Sequence, residues 1–331
     1  MRKYYLYIVC VLCSYAASAQ YYATKLYAAP EGLYGDVTQI LIHSDGSLWC
    51  GTYSNGIYHF DNQTFTNYTT KNGMANDCCV NLFEDTYHNV WSCYNQQGLG
   101  YITSRGKIVV VEKSLDNNEA HEIGFEKDKN KVFYSKSRKQ FDIYDYERNT
   151  FMADEKLVFD EKNYEIPYEG YWILKKKDDF LIYLEDKKTK KKQYYNCLNG
   201  KMIPYTTTAN DEKYIQVSVE DNDIAFIRTA KGIHINEKGI WNFKVDFKKI
   251  GLGNIDFLQN TNPNIRSTLL GKYKNGTYCI VDFTDDFSSY KKYDFKFEGA
   301  INDGLTTIVK DKANNFWIGT QGGLQIGRAH V

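Results

Sequence analysis

Short apolar segments alternate with polar turns along most of the chain. Within residues 37–69 the alternation predicts four strands, because apolar side chains recur at every second position between glycine- and aspartate-rich turns. Asn55-Gly56 supplies the positive φ angles that a tight hairpin turn requires. No 12-residue stretch after residue 20 carries the apolar stripe of a helix. The pattern therefore predicts an all-β chain built from four-stranded antiparallel units.

One tryptophan phrase occurs three times and defines a repeat. Trp49, Trp91 and Trp317 each follow a polar turn, lie in a predicted second strand and precede a glycine–apolar pair. Weaker copies are centred on Phe133, Leu181, Ala225 and Tyr278. Seven units with a mean spacing of about 45 residues are typical of a seven-bladed β-propeller. The glycines that belong to the repeat are Gly51, Gly56, Gly98, Gly319 and Gly323.

The two ends of the chain are expected to complete the ring. The blade that contains Trp317 has three predicted strands, so its outer strand must come from another part of the chain. Segment 23–28 precedes the first blade and alternates like a strand. We expect it to pair with the Trp317 blade and close the propeller. The three tryptophans are expected to fill the space between neighbouring blades.

Segment 1–19 has the three parts of a signal peptide. Arg2-Lys3 is basic, residues 4–15 are largely apolar, and Ala17-Ser18-Ala19 has the small-x-small pattern of a cleavage site. We therefore expect an exported protein that begins at Gln20. A membrane anchor is the competing interpretation, which the short and tyrosine-rich apolar run does not favour.

The rest of the chain divides into one domain and a short tail. The propeller is predicted over residues 20–325. Residues 326–331 match the translation of a common sequencing adapter, and they interrupt the third strand of the last blade. We expect a non-native tail on the front part of a longer protein, and a native basic tail is the alternative.

Charge and composition limit the partners of the chain. Lysine plus arginine and aspartate plus glutamate number 41 each, so no net field favours nucleic acid or acidic lipid. The 29 tyrosines suit half-buried strands. Residues 187–192 are rich in lysine, and the acidic residues beside them predict a solvated hairpin tip instead of a binding patch.

No known catalytic or metal-binding motif occurs in the sequence. It has no nucleophile elbow, phosphate loop, His-Glu-x-x-His or complete calcium loop, and its acidic pairs fall at predicted turns. No Cys-x-x-Cys spacing occurs after the predicted signal peptide either. The sequence therefore predicts no catalytic residue, metal ligand or cofactor. The internal histidines share no spacing and are assigned to different blades: His43, His59, His88, His121 and His234.

Six cysteines follow the predicted signal peptide. An even number in an exported chain suggests disulfides. However, Cys50, Cys93 and Cys279 are expected on equivalent strands of different blades, beyond bridging distance. Cys78 and Cys79 are adjacent on one strand, so their side chains point to opposite faces. A bridge between them would be strained. We expect Cys50, Cys93 and Cys279 to be small buried hydrophobic residues.

The repeat resembles that of the two-component regulator propeller family. Its first copy contains Glu31-Gly32-Leu33, then Asp45 to Thr52, then Asn55-Gly56-Ile57, in the order that the family uses. The copy that ends at Gly323-Leu324 is the clearest match after the first. The second copy departs from the family at Cys93-Tyr94, where the family has Gly-Thr. The resemblance implies a propeller on the outer side of the inner membrane in Bacteroidetes-like bacteria.

Members of that family place one or two propellers before a small β-sandwich, a membrane helix and a histidine kinase or other output domain. The resemblance therefore implies a periplasmic ligand-sensing module, without enzyme activity in this part of the receptor. Its partners would be a small molecule or oligosaccharide, the downstream membrane and kinase domains, and a second copy in a homodimer. The alternatives are a secreted propeller enzyme that acts on polysaccharide and a non-catalytic adhesion or scaffold propeller.

One face of the predicted ring gathers candidate ligand-binding residues. If the first strands line the central channel, then the turns between second and third strands share a face with the segments that lead into the first strands. Aromatic and amide side chains there would stack on sugar rings and bind their hydroxyls. The alternative is that they are ordinary turn residues. The predicted ligand-binding residues are Tyr53, Ser54, Asn55, Asn76, Asp77, Tyr94, Asn95, Gln96 and Gln97.

Overall fold

A computed structural model describes most of the chain after the predicted signal peptide. In the described part, the only helices are two 3-10 turns, Ala29–Glu31 and Thr70–Asn72, and the strands form seven antiparallel sheets. None of the described helices is long and apolar enough to cross a membrane. The described residues are 24–94, 98–112, 123–126, 131–137, 140–156, 158–166, 173–175, 180–198, 201–204, 214–219, 225–237, 240–257, 267–284, 286–295 and 304–328.

After β1 (Thr24–Tyr27), the first three sheets are four-stranded, with their strands in chain order. The first contains β2 (Val37–Ile42), β3 (Leu48–Thr52), β4 (Ile57–Phe60) and β5 (Phe65–Tyr68). The second contains β6 (Cys79–Glu84), β7 (Val90–Tyr94), β8 (Gly98–Ile102) and β9 (Ile108–Glu112). The third contains β10 (Ile123–Glu126), β11 (Lys131–Ser137), β12 (Gln140–Asp145) and β13 (Thr150–Lys156).

The fourth sheet departs from the predicted four strands. Its strands are β14 (Tyr164–Glu165), β15 (Ile173–Lys175), β16 (Phe180–Asp186), β17 (Lys192–Leu198) and β18 (Lys201–Pro204). Both β14 and β15 pair with the same edge of β16, one after the other. The first-strand position is thus occupied by two short pieces, β14 and β15. The turn between β16 and β17 carries the lysine-rich tip, where Lys190 forms an ion pair with Glu185 at 2.9 Å.

The fifth and sixth sheets are again four-stranded in chain order. The fifth contains β19 (Tyr214–Val219), β20 (Ala225–Thr229), β21 (Gly232–Glu237) and β22 (Ile240–Asp246). The sixth contains β23 (Ile255–Phe257), β24 (Thr268–Tyr273), β25 (Tyr278–Phe283) and β26 (Tyr290–Phe295).

Two of the weaker repeat positions were assigned wrongly from the sequence. Tyr278 begins the third strand of its sheet, because the Asn275-Gly276 turn joins the second and third strands, whereas the similar Asp45-Gly46 turn joins the first and second. In the fifth sheet, Phe226 pairs with Ile235 as Trp317 pairs with Ile326. The equivalent of the tryptophan is therefore Phe226, one residue beyond Ala225.

The seventh sheet contains β27 (Leu305–Lys310), β28 (Asn315–Thr320), β29 (Gly323–Arg328) and the N-terminal β1. Strand β1 pairs antiparallel with β29, with Lys25 opposite Ile326 and Tyr27 opposite Leu324. The N-terminal segment is thus the outer strand of the Trp317 sheet. Residues 326–328 of the predicted tail lie in β29.

The three tryptophans occupy the second strands β3, β7 and β28 and pack between sheets. Trp49 belongs to an apolar cluster with Cys79 and Leu82 of the second sheet. Trp91 contacts Tyr144 of the third sheet, with ring centroids 4.8 Å apart. Trp317 contacts Phe60 of the first sheet at 6.2 Å. First strands also lie side by side, since β2 contacts β27 on one side and β6 on the other.

The glycine that follows each complete tryptophan phrase permits close approach of the next sheet. A Cβ at Gly51 would lie 2.5 Å from Cys79 Sγ, and a Cβ at Gly319 would lie 2.9 Å from Val37 O. Hydroxyls add hydrogen bonds across the same contacts. Thr38 Oγ1 donates to Cys79 O at 2.8 Å, and Thr306 Oγ1 donates to Val37 O. The seventh sheet therefore joins the first in the way that the first joins the second.

Replacing Thr306 with valine is expected to lower the free energy of unfolding by about 1 kcal/mol, because Val37 O loses its hydroxyl donor while the volume of the side chain is kept. Thr306→Ser keeps the hydroxyl and serves as the control. Urea denaturation of both variants measures the difference. Equal stability of Thr306→Val and the wild type would show that the hydrogen bond does not contribute.

Candidate functional site

The turn between the second and third strands is held by a threonine hydroxyl. Thr52 Oγ1 donates to Gly56 O at 2.8 Å and accepts from Asn55 N at 2.9 Å. Thr320 does the same in the seventh sheet, where its Oγ1 donates to Gly323 O at 2.9 Å. These bonds fix the backbone that carries the predicted ligand-binding residues of the first sheet.

The turn of the first sheet lies between two segments that lead into first strands. Tyr53 N donates to Asp36 O at 3.1 Å, next to the start of β2. Gly56 N donates to Asp77 O at 2.8 Å, next to the start of β6. Turn and lead-in segments thus share one face, and we call residues 34–36, 53–56 and 76–77 the rim. The rim brings together residues of two neighbouring sheets.

The side chains of the rim differ in exposure. Tyr53 is 62% exposed and Ser54 is exposed, whereas Asn55, Asn76 and Asp77 are half-buried. Of the other predicted residues, Tyr94 ends β7, and its side chain lies outside the described part of the structure. Asn95, Gln96 and Gln97 lie entirely outside it.

Two of the rim residues stabilise their own segment. Asn76 Oδ1 accepts from Cys78 N at 2.7 Å. The Asp77 carboxylate accepts from Thr70 N at 2.6 Å and from the Thr70 hydroxyl at 3.0 Å. These bonds favour the interpretation that Asn76 and Asp77 are ordinary turn residues. The exposed tyrosine is the stronger candidate for contact with a ligand.

Tyr34 is a rim residue that the sequence analysis missed. Its side chain is 56% exposed. The buried Tyr58 hydroxyl hydrogen-bonds to the Tyr34 backbone, and burial raises the pKa of Tyr58, so this phenol remains protonated. Tyr34 lies in a segment that leads into a first strand, as Asn76 and Asp77 do. Applying that rule to the first blade as well as the second would have found it.

The opposite face carries the turns between first and second strands, at residues 43–47, 85–89 and 311–315. We call it the hairpin face. Asp85 Oδ2 accepts from Trp91 Nε1 at 2.7 Å, and Asp311 Oδ2 accepts from Trp317 Nε1 at 2.9 Å. The aspartate that begins each turn therefore fixes the tryptophan of the following strand. His43 stands at this position in the first sheet.

The hairpin face brings two histidines together, although the sequence analysis treated the histidines as scattered. The His43 and His88 ring centroids are 6.0 Å apart, and Glu84 Oε1 lies 3.2 Å from His43 Nε2 and 2.7 Å from His88 Nδ1. One ligand atom from each residue lies within 4.8 Å of the others. Because equivalent turns of neighbouring sheets lie side by side, residues about one repeat apart become neighbours.

The cysteines of the described residues are free thiols. Five are buried and Cys78 is half-buried, so the expectation that Cys50, Cys93 and Cys279 are small buried residues is confirmed. Burial raises the pKa of Cys50 and of Cys79 to about 12, so both thiols stay protonated at neutral pH. The expectation that Cys279 is equivalent to Cys50 and Cys93 is wrong, because Cys279 lies on β25, the third strand of its sheet.

No family model matches the chain, and no curated protein matches it. Solved structures do match. The extracellular domain of the hybrid two-component system BT3049 from B. thetaiotaomicron has a TM-score of 0.60 at 15% identity, over 94% of this chain and 42% of that one. The corresponding domain of system BT4673 has a TM-score of 0.61 at 12% identity, over 95% and 44%.

A WD40 β-propeller and a lyase are also similar. The β-propeller domain of Doa1 has a TM-score of 0.51 at 10% identity, over 94% of this chain and 98% of that one. Virginiamycin B lyase from Staphylococcus aureus has a TM-score of 0.58 at 13% identity, over 93% of this chain and 98% of that one. The chain spans less than half the length of the two receptor domains. At these identities the likeness establishes a β-propeller fold, and it supports the resemblance of this chain to two-component regulator propellers.

Proposed function

We propose that the seven sheets are the blades of a single ring, closed by β1, and that this ring is the ligand-sensing part of a two-component receptor. Neighbours of the same fold are extracellular domains of such receptors. The predicted signal peptide would export the ring to the periplasm. Membrane and kinase domains that follow the propeller would carry the response, so this part of the protein performs no catalysis.

The rim carries the proposal. Its turn is held between the lead-in segments of two blades, by the hydrogen bonds of Tyr53 N to Asp36 O and of Gly56 N to Asp77 O. Exposed tyrosine rings on such a fixed frame suit stacking on sugar rings, since the rings offer apolar faces at low conformational cost. Amide groups beside them suit sugar hydroxyls. An oligosaccharide is therefore the ligand class that the rim favours.

A ligand that bridges two blades would also couple binding to the shape of the ring. The rim joins residues of the first and second blades, so any change in their relative position changes the binding site. By linkage, a ligand with different affinities for two arrangements shifts their populations. We propose that this shift is the message passed to the downstream domains.

The test is ligand binding by the exported form of the chain. Oligosaccharides of xylan, arabinan, mannan and chondroitin are screened by thermal shift, and hits are measured by titration calorimetry. We expect one class to bind, and Tyr53→Ala and Tyr34→Ala each to weaken that binding about fivefold, because a lost stacking contact is worth roughly 1 kcal/mol. Tyr94→Ala and Asn95→Ala test the residues that the sequence predicts for the second blade.

Tyr87→Ala is the matched control, since Tyr87 is 56% exposed on the hairpin face. We expect it to bind like the wild type. Equal weakening by Tyr87→Ala and Tyr53→Ala would exclude the rim as the site. No binding by the wild type to any member of the panel would contradict a glycan ligand.

A further inference from the structure

His43 has oxygen atoms close to both of its ring nitrogens. Its side chain is only 6% exposed, and Nδ1 lies 2.9 Å from Asp45 Oδ1. Its Nε2 lies 3.2 Å from Glu84 Oε1 and 3.3 Å from His88 O. A neutral imidazole has one N–H donor, so it can satisfy acceptors on only one side. A metal ion between Nε2 and Glu84 Oε1 would satisfy the second side.

The shorter contact decides which nitrogen is bound to hydrogen. Asp45 N also approaches His43 Nδ1, at 3.4 Å, but the carboxylate contact of 2.9 Å is the stronger bond. An N–H on Nδ1 that donates to Asp45 leaves the lone pair on Nε2. Carboxylates hold metal-bound histidines in this way, fixing both the tautomer and the orientation of the ring.

We propose that His43, Glu84 and His88 form a zinc site that joins the first two blades at the hairpin face. Two imidazole nitrogens and one carboxylate oxygen are a ligand set that Zn²⁺ prefers. No motif of the sequence contains this set, because His43 lies at the end of β2 and the other two residues lie around the turn after β6. The site is separate from the rim and does not depend on the proposed ligand.

The distances fit a zinc ion after small adjustments. Zinc bonds of about 2.0–2.1 Å place tetrahedral ligand atoms about 3.3 Å from one another. His43 Nε2 and Glu84 Oε1 are already 3.2 Å apart, and His88 Nδ1 lies 2.7 Å from Glu84 Oε1. The three ligand atoms lie within 4.8 Å of one another, and the His88 side chain is 59% exposed, so it can adjust its distances to both other ligands. The exposure of His88 also leaves a path by which the ion can enter.

The rest of the shell is polar and fixed. Ser44 N donates to Glu84 Oε2 at 2.8 Å, and the Ser44 hydroxyl donates to Glu84 Oε1 at 2.5 Å, a bond that the ion would replace. Ser44 Oγ lies 3.0 Å from His88 Nδ1 and would bind a water in the fourth position of the zinc. Asp45 accepts from Ser47 N at 2.8 Å, so the carboxylate that orients His43 is itself held in place. The expected role of the zinc ion is to fix the first two blades to each other. The ion would keep one open coordination position.

The test uses the exported chain after treatment with a chelator. We expect titration with ZnCl₂ to show one ion per chain, and Co²⁺ to give the visible absorption of a tetrahedral site. His88→Gln should weaken zinc binding at least about a hundredfold, whereas Asp45→Asn should weaken it about tenfold, as loss of an orienting carboxylate does. His88 is exposed, so its variant is expected to fold, and circular dichroism checks this.

His59→Gln is the control, because His59 lies in the first blade against Trp49 and has no part in the cluster. We expect it to bind zinc like the wild type. Absence of zinc uptake by the wild type would overturn the proposal. Unchanged binding in His88→Gln, with loss of binding in Cys78→Ser, would move the zinc to the half-buried thiol and overturn it as well.

Discussion

Asp85→Ala is expected to lower the free energy of unfolding by about 3–5 kcal/mol. The Asp85 side chain is buried, and its carboxylate accepts hydrogen bonds at 2.9 Å or less from five donors. These donors are Tyr87 N, Asn89 N, Asn89 Nδ2, Trp91 Nε1 and the Tyr146 hydroxyl. Alanine would leave several of them buried without a partner, and each such donor costs about 1–3 kcal/mol.

The Tyr146 hydroxyl reaches Asp85 from the third sheet, so the same carboxylate joins two sheets. Burial and the hydrogen bond to Asp85 raise the pKa of Tyr146 well above its usual range, which keeps this phenol a donor at all accessible pH values. Guanidinium denaturation measures the effect. Asp61→Ala is the control, since Asp61 caps an exposed turn through Gln63 N and Thr64 N. A loss for Asp85→Ala no greater than for Asp61→Ala would contradict this account.

Gly319→Ala is expected to destabilise the protein by about 2–3 kcal/mol, the range of overpacking in a close contact. A Cβ at this position would lie 2.7 Å from Thr307 Cγ2 and 2.9 Å from Val37 O, so both the seventh and the first sheet would have to shift. Since backbone atoms cannot rotate away, the strain is expected to weaken the contact between these sheets.

The control is Gly327→Ala on the neighbouring strand β29, where the nearest atom to the new Cβ is Phe316 O at 3.9 Å. We expect this variant to match the wild type within about 0.5 kcal/mol. The midpoint of urea unfolding gives both values. Equal stability of the two variants would show that the sheets do not approach as closely as described.

The strong repeats made much of the fold predictable. Trp49, Trp91 and Trp317 were placed in second strands because the turn before each and the glycine after each mark the strand ends. The N-terminal strand was found because segment 23–28 alternates and the last sheet lacked an outer strand. In the first case the signal lies within a few residues of each tryptophan. In the second case a local alternation was combined with a missing strand at the other end of the chain.

Other features could not be predicted because their signals are short or interrupted. Strand β23 has three residues, too few for alternation to show, so the register of the sixth sheet was shifted by one strand. The edge of the fourth sheet is divided between β14 and β15, and the intervening residues hide its pattern. Where the tryptophan is replaced, as at Phe226, spacing alone leaves an error of one residue.

One of the two candidate sites could be predicted from the sequence and the other could not. The shared face of Tyr53 and Asp77 follows from strand order, and the sequence was sufficient to predict it. The cluster of His43, Glu84 and His88 depends on the side-by-side position of two neighbouring turns. Such a contact joins residues about one repeat apart, and motif rules that consider short spacings do not detect it.

Sequencing the intact gene from its native genome with long reads tests the central proposal most directly. If the propeller is the sensing part of a two-component receptor, the reading frame will continue beyond Gln325. It will encode the rest of the last blade, a β-sandwich, a stretch of about 20 apolar residues that can span a membrane, and a histidine kinase or another output domain. A stop codon directly after the propeller, or a catalytic domain or secretion tag in place of the membrane segment, would contradict the proposal.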